Sequence, residues 1–188
     1  MPTERSYHHG DLRRAVLTAA LDVIATEGPA ALSLRDLARR AGVSHAAPAH
    51  HFKDRAGLLT AIATEGYGFL SAALGEAEDL RDLGVRYVDF AAAHPAHFQI
   101  MFRPELLRPD DSELLAARQQ TRSMLRTAVE GRGEDPAVSF MAAWSMAHGF
   151  ATLLLSRNLD DLLDGRDPGD TFGTLAGVMF GPTGSPWS

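Results

Sequence analysis

Cysteine is absent from the 188 residues. That excludes disulfides and thiolate metal sites, and it is compatible with a reducing cytoplasm, the location expected here. No uninterrupted apolar run reaches the roughly 18 residues of a membrane-spanning helix, so no membrane partner is expected. Residues 1–11 lack the apolar stretch of a secretory signal. There is no Gly-rich phosphate loop and no Ser/His/Asp ordering of any weight, which argues against an enzyme. Period-two strand patterns, internal repeats and low-complexity tracts are missing too. No cofactor is implied. His94, His97 and His148 raise the idea of a metal, but no carboxylate lies at ligand spacing beside them, so no metal site is assigned.

What remains is a chain of ordinary hydrophobic content, 45%, long enough for one well-buried domain or two small ones sharing a core. Its net charge of −6 is unevenly spread. Residues 1–55 hold 8 Lys+Arg against 6 Asp+Glu, and residues 56–188 hold 10 against 18. Five of the eight histidines (His8, His9, His45, His50, His51) also lie in the first stretch. A polyanion should therefore meet the N-terminal part and be repelled by the rest.

Almost every segment has helical periodicity. Leu17, Ala20, Leu21 and Ile24 form one stripe of a first helix over about residues 11–27, stopped by Gly28-Pro29. Ser33 is placed to cap a second helix, with Asp36 completing a capping box and Leu34, Leu37, Ala38 and Ala41 facing inward. Gly42 breaks it, and Val43 can pack inside the turn. Ser44 is placed to cap a third helix to about Phe52, with Pro48 in its first turn. Asp54 starts a fourth, with Leu58, Leu59, Ile62, Gly66, Phe69, Leu70 and Ala73 inward. Further helices are expected over 79–93, 95–102, 111–130, 136–158 and 170–180, with an acidic loop at 160–168 and a loosely held tail after 180. The fold class is thus all-α, with about nine helices. The division is residues 1–55, a three-helix N-terminal domain, and residues 56–188, a C-terminal helical domain.

Residues 33–55 are the most telling. Two short helices joined by a tight turn can present the second to the major groove of double-stranded DNA. Ser44, His45, Ala46, His50 and His51 would then lie on the outer side of the third helix. Ala46 and Ala47 let the backbone come close, and an alanine methyl can touch a thymine methyl. His45 can donate to or accept from a base edge. Ser33, Arg35, Ser44, His51, Lys53 and Arg55 suit phosphate oxygens, which set register without reading sequence. Residues 5–10 read as a basic arm that could follow the backbone or reach a minor groove. The competing reading is a helical ligand-binding or interaction module with weak or no DNA binding.

Glu27-Gly28, then S-L-R-D-L-A-R-R-A-G-V-S (33–44), then H-H-F-K-D-R-A-G-L-L (50–59) together resemble the DNA-binding domain of the TetR family of transcriptional regulators. The resemblance implies a helix-turn-helix domain followed by an α-helical ligand-binding and dimerisation domain. It further implies a homodimer on a palindromic operator, most often a repressor released by a small molecule. Two positions depart from the family pattern. Ala49 stands where an aromatic, commonly tyrosine, usually reaches phosphate, and Arg55 replaces the usual lysine at the start of the fourth helix.

Tyr87-Val88-Asp89-Phe90, His94-Pro95-x-x-Phe98-x-x-Met101-Phe102 and Trp144-x-x-x-His148-Gly149 resemble a C-terminal subclass of the same family. Met141, Trp144 and His148 lie on neighbouring turns of one helix face, and Phe98, Met101 and Phe102 on a proline-initiated short helix. A cavity lined by them would suit a small apolar or amphipathic effector; simple core packing is the competing use, and His148 also suits a hydrogen-bonded core position. The small and apolar residues of the last two long helices (Ala142, Ala143, Ala147, Ala151, Leu154, Leu155; Phe172, Leu175, Ala176, Val178, Met179) suit a four-helix subunit interface. Two third helices would then stand about 34 Å apart, one DNA turn.

Overall fold

The computed structural model describes residues 4–131 and 135–180, with side chains over 12–131 and 135–179. Within these residues there are ten α-helices, two short 3-10 turns and no strand. The helices are α1 (Glu4–Glu27), α2 (Leu34–Arg40), α3 (Ala47–Phe52), α4 (Arg55–Gly75), α5 (Leu80–Ala93), α6 (Pro95–Met101), α7 (Ser112–Ala128), α8 (Pro136–Leu155), α9 (Asp160–Leu163) and α10 (Pro168–Phe180). The additional helix relative to the sequence expectation is α9, a single turn inside the stretch read as an acidic loop. The backbone of residues 5–10, read as an arm, lies within α1. The tail after residue 180 lies outside the described residues.

The chain forms two compact units. One comprises residues 1–66 and 96–115, the other 67–95 and 116–188. This differs from the division drawn after residue 55, because α4 runs without a break from the first unit into the second and residues 96–115 return to the first.

In the first unit Val16, Leu17, Ala20, Val23 and Ile24 of α1 are buried with Leu37 and Ala38 of α2, Phe52 of α3, and Leu58, Leu59, Ile62 and Ala63 of α4. The turn between α2 and α3 explains itself residue by residue. Gly42 sits at φ 67, a left-handed conformation that costs only glycine nothing. The Gly42 N–H donates to Arg39 O (3.3 Å) and the Val43 N–H to Ala38 O (3.0 Å). Together these bonds satisfy the orphan carbonyls at the end of α2.

Two expected caps do not form. Ser33 makes no side-chain cap bond; Asp36, which would complete the box, turns outward to Arg39 and Arg40. α3 begins at Ala47, with Ala46 and not Ser44 before it. Pro48 decides this. A helix begun at Ser44 would need an N–H at residue 48, and proline has none. The Ser44 carbonyl instead accepts the Ala47 N–H at 3.0 Å. Pro48 therefore stays in the first turn, as the spacing predicts. Phe69, expected inward on α4, is 42% exposed, with its ring stacked on that of His94 at 5.1 Å.

The second unit is built on α5, which packs against α8 and α10. Asp79 caps α5 by accepting the Asp82 N–H at 2.8 Å, and Asp135 caps α8 through Ala137 N–H at 2.8 Å. Tyr87, Val88, Phe90 and Ala91 of α5 are buried, as are Phe172 and Ala176 of α10. α8 is long and apolar enough to cross a membrane by length and composition alone. Sequence inspection finds no such run because Ser139, Ser145, His148 and Thr152 interrupt it without adding charge. Little of α8 is buried within the chain: Ala143, Ala147 and Ala151 are, whereas Val138, Met141 and Leu153 are exposed.

Gly84 is a tight joint of this unit. A Cβ there would lie 2.5 Å from Phe172 Cε1, and Phe172 is 1% exposed. Gly84→Ala should therefore destabilise the chain by about 1–3 kcal/mol through overpacking, read as a lowered melting temperature. A melt equal to that of the unsubstituted chain would contradict this packing.

Candidate nucleic-acid interface

The surface of α3 is sorted by two anchors. Pro48 and Phe52 face inward and are buried. That leaves Ala49 and His50 exposed, with Ala47 and His51 half-buried; Ser44, His45 and Ala46, expected on this helix, are exposed in the turn that precedes it. The His50 and His51 rings meet edge to face at 5.4 Å. Arg13 of α1 places its guanidinium 5.6 Å from the centre of the Phe52 ring, so a cation from the first helix reaches the end of the third.

The charges around this surface divide into used and unused. Asp36 takes hydrogen bonds from Arg39 and, at 2.7 Å, from Arg40. These bonds, Arg39 first, hold its carboxyl below the usual carboxylate range. Arg40 also reaches Glu27 of α1 at 2.9 Å. Arg39 and Arg40 are therefore offset by intramolecular carboxylates. Arg35 and Lys53 are exposed. Arg55, expected at a phosphate, is partly committed elsewhere: its guanidinium donates to the Pro29 carbonyl at 2.6 Å, tying the start of α4 to the turn after α1.

The junction between α3 and α4 carries features that sequence reading missed. Lys53 has φ 68 and ψ −57, a γ-turn conformation rare for a residue with a side chain. The turn is closed by the Asp54 N–H donating to Phe52 O at 2.9 Å. Asp54 Oδ1 accepts the Gly57 N–H at 2.8 Å and pairs with Arg108 Nη2 at 2.9 Å. The Gly57 bond first, and then Arg108, hold the Asp54 carboxyl below its ordinary range. At Gly57 a methyl would overlap the Phe52 carbonyl oxygen and come within 3.0 Å of the Arg108 guanidinium carbon. A glycine inside a helix is unfavourable and hints at a packing reason, but α4 holds four of them, and nothing near residue 108 in sequence announces its part.

The six residues considered as effector contacts are distributed over both units. In the first, Phe98 and Met101 are buried and Phe102 is half-buried. The Phe98 and Phe102 rings stand 5.0 Å apart, and Met101 lies against Gly66, with its Sδ 2.6 Å from where a Cβ would be. In the second, Met141 is 54% exposed, while the Trp144 and His148 rings stand 5.6 Å apart at a tilt. His148 Nδ1 and the Tyr87 hydroxyl share a 2.8 Å hydrogen bond. Burial lowers the His148 pKa and raises that of Tyr87, so both are neutral near pH 7. His97 is bonded to Glu65 at 3.0 Å, and His94 lies against Phe69 and Phe90. Each histidine once considered for a metal thus has a different neighbour.

The family model of bacterial regulatory proteins, tetR family, matches residues 16–62. The model of the tetracyclin repressor-like C-terminal domain matches residues 80–178. An HTH-type transcriptional repressor of Mycobacterium tuberculosis is 40% identical over 62 residues. That match spans 33% of this chain and 31% of the relative's length. A solved structure of unknown function from Rhodococcus sp. RHA1 is 34% identical, with TM-score 0.73, over 94% of this chain and 97% of its own. AibR, solved with isovaleryl coenzyme A and operator DNA, is 18% identical with TM-score 0.68 over 91% and 99% of the two chains, a likeness of fold alone.

Gly57→Ala should force α3 and α4 apart, since backbone rather than a flexible side chain opposes the added methyl. The expected result is a loss of at least 2 kcal/mol of stability, in the range of backbone conflicts at close contacts, measured by denaturant unfolding. An unfolding midpoint within error of the unsubstituted chain would refute the close approach.

Proposed function

Since the chain belongs to the TetR family of bacterial regulatory proteins, we propose that it is a repressor that binds a palindromic operator as a homodimer and is released by a small apolar or amphipathic effector. One observation carries the DNA-binding part. Pro48 and Phe52 of α3 are buried, while Ala49 and His50 of α3 and Ser44, His45 and Ala46 in the turn before it are exposed, so a short helix and its leading turn stand ready for a groove. In this reading His45 and His50 meet base edges, Ala46 and Ala47 allow close approach, and Ser33, Arg35, Ser44, His51, Lys53 and Arg55 serve phosphates. Arg55 retains donors beyond the one given to Pro29, because a guanidinium has five.

The regulatory reading assigns Phe98, Met101, Phe102, Met141, Trp144 and His148 to the effector, each within its own unit. The polar centre in the second unit supports an amphipathic ligand. Tyr87 and His148 share a 2.8 Å hydrogen bond, and the Trp144 ring lies 5.6 Å from that of His148, so one polar pair sits against an apolar face. The Trp144-x-x-x-His148-Gly149 signature is read as a subclass mark. Dimerisation is assigned to α8 and α10, whose exposed Val138, Met141, Leu153, Leu175, Val178 and Met179 need cover of the kind a symmetric partner supplies. A cytoplasmic location follows from this role.

The test is selection of bound duplexes from a random pool, followed by salt titration on the recovered sequence. Affinity should fall steeply with salt as counterions are released. His45→Ala should change the recovered sequence. Arg35→Ala should weaken all sequences alike and reduce the salt slope by about 1. Failure of the unsubstituted protein to enrich any duplex at low salt ends the DNA-binding reading.

A further inference from the structure

We propose that Arg108, outside the helix-turn-helix in sequence, is a positioning residue for DNA binding: the loop between α6 and α7 clamps the α3–α4 junction and so sets the angle at which α3 is presented. The inference rests on the DNA-binding reading above and adds to it a second control point, within the same compact unit.

The loop is fixed at two places. The Arg108 backbone N–H donates to Thr60 Oγ1 at 3.0 Å, and Thr60 is 3% exposed. The Thr60 hydroxyl in turn donates to the Ala56 carbonyl at 2.7 Å. This fastens residue 108 to the first turns of α4. Its side chain then runs back to the helix start, where Nη2 meets Asp54 Oδ1 at 2.9 Å. Gly57 is the floor of the contact, with Arg108 Cζ 3.0 Å from where a Cβ would stand. Any side chain at 57 would evict the guanidinium.

The point held is the one most in need of holding. Lys53 carries an unfavourable positive φ, and such a conformation persists only where its surroundings over-determine it. Asp54, the next residue, is the common acceptor for the Gly57 N–H and the Arg108 guanidinium. On the other side Arg55 is tied to Pro29. The carboxylate is thus fixed from α4 and from the loop, and the γ-turn beside it fixes the exit of α3. Asp54 is well exposed and Arg108 about a third exposed, so the ion pair adds little to global stability. Its effect falls on the local angle of α3.

The experiment uses the full chain, the selected duplex and three variants. Arg108→Ala should lower affinity roughly fivefold to tenfold, a loss in keeping with one charge-assisted bond, with the salt slope unchanged. Amide exchange at Gly57 and Leu58 should quicken in the DNA-free protein, while exchange within α5 stays as it was. Arg108→Lys should recover most of both losses. Arg108→Gln, which keeps the backbone bond to Thr60, takes the place of the alanine variant should that not fold. A salt slope reduced by about 1 would make Arg108 a phosphate contact and overturn the clamp. So would alanine and lysine variants equally impaired, or exchange at Gly57 indistinguishable from the unsubstituted chain. If the unsubstituted chain binds DNA and Arg108→Ala binds it equally well, this inference alone falls. If the unsubstituted chain selects no duplex, both fall.

Discussion

The contact between the Phe52 carbonyl and Gly57 is the constraint on which the N-terminal architecture turns. A six-residue helix has too few internal bonds to hold itself, so α3 must borrow its order. It does so at both ends. Pro48 and Phe52 anchor one face in the core shared by α1, α2 and α4, and the backbone approach at Gly57 fixes the exit. The outward row from Ser44 to His50 is the remainder of that arrangement: a surface made available because the opposite face is fully used.

The distribution of charge follows the same logic. The N-terminal stretch is only slightly basic, and two of its arginines, Arg39 and Arg40, are paired with Asp36 and Glu27. Only the Arg40–Glu27 pair braces α2 against α1, the pairs with Asp36 lie within α2, and none enlarges a polyanion site. The cations open to a phosphate are few and lie at the borders of α3. Ala49 adds to this economy, since it contributes neither a hydroxyl nor a ring. A surface with few phosphate anchors depends more on the angle at which the helix is presented, which gives the junction at Lys53 and Asp54 its importance.

Two corrections show where pattern reading runs out. Ser33 and Ser44 both occupy sequence positions typical of caps, and neither side chain caps a helix. At Ser33 the reciprocal partner of the box, Asp36, bonds two guanidiniums instead. At Ser44 the missing N–H of Pro48 moves the helix start two residues on, to a cap at Ala46. Local propensity identified the right helices and misplaced their ends because ends are decided by which donor finds which acceptor. Phe69 shows the same at the level of a face: periodicity put it inward, while the ring lies on the surface against His94.

Residue order alone determined the all-helical class, the Gly42 turn, the placement of Pro48 and most of the buried stripes of α1, α2 and α4, Phe69 excepted, because each depends on spacing within one or two turns of chain. It also carried the family resemblance, for the same local reason. Only tertiary structure decided that Arg55 serves the Pro29 carbonyl, that Gly57 is a point of backbone contact, that Tyr87 and His148 share a hydrogen bond, and that Arg108 reaches back to Asp54, far away in sequence. Contacts between distant residues leave no period in a single sequence. Their geometry is set when the helices pack, and that is where the chemistry of both halves is assembled.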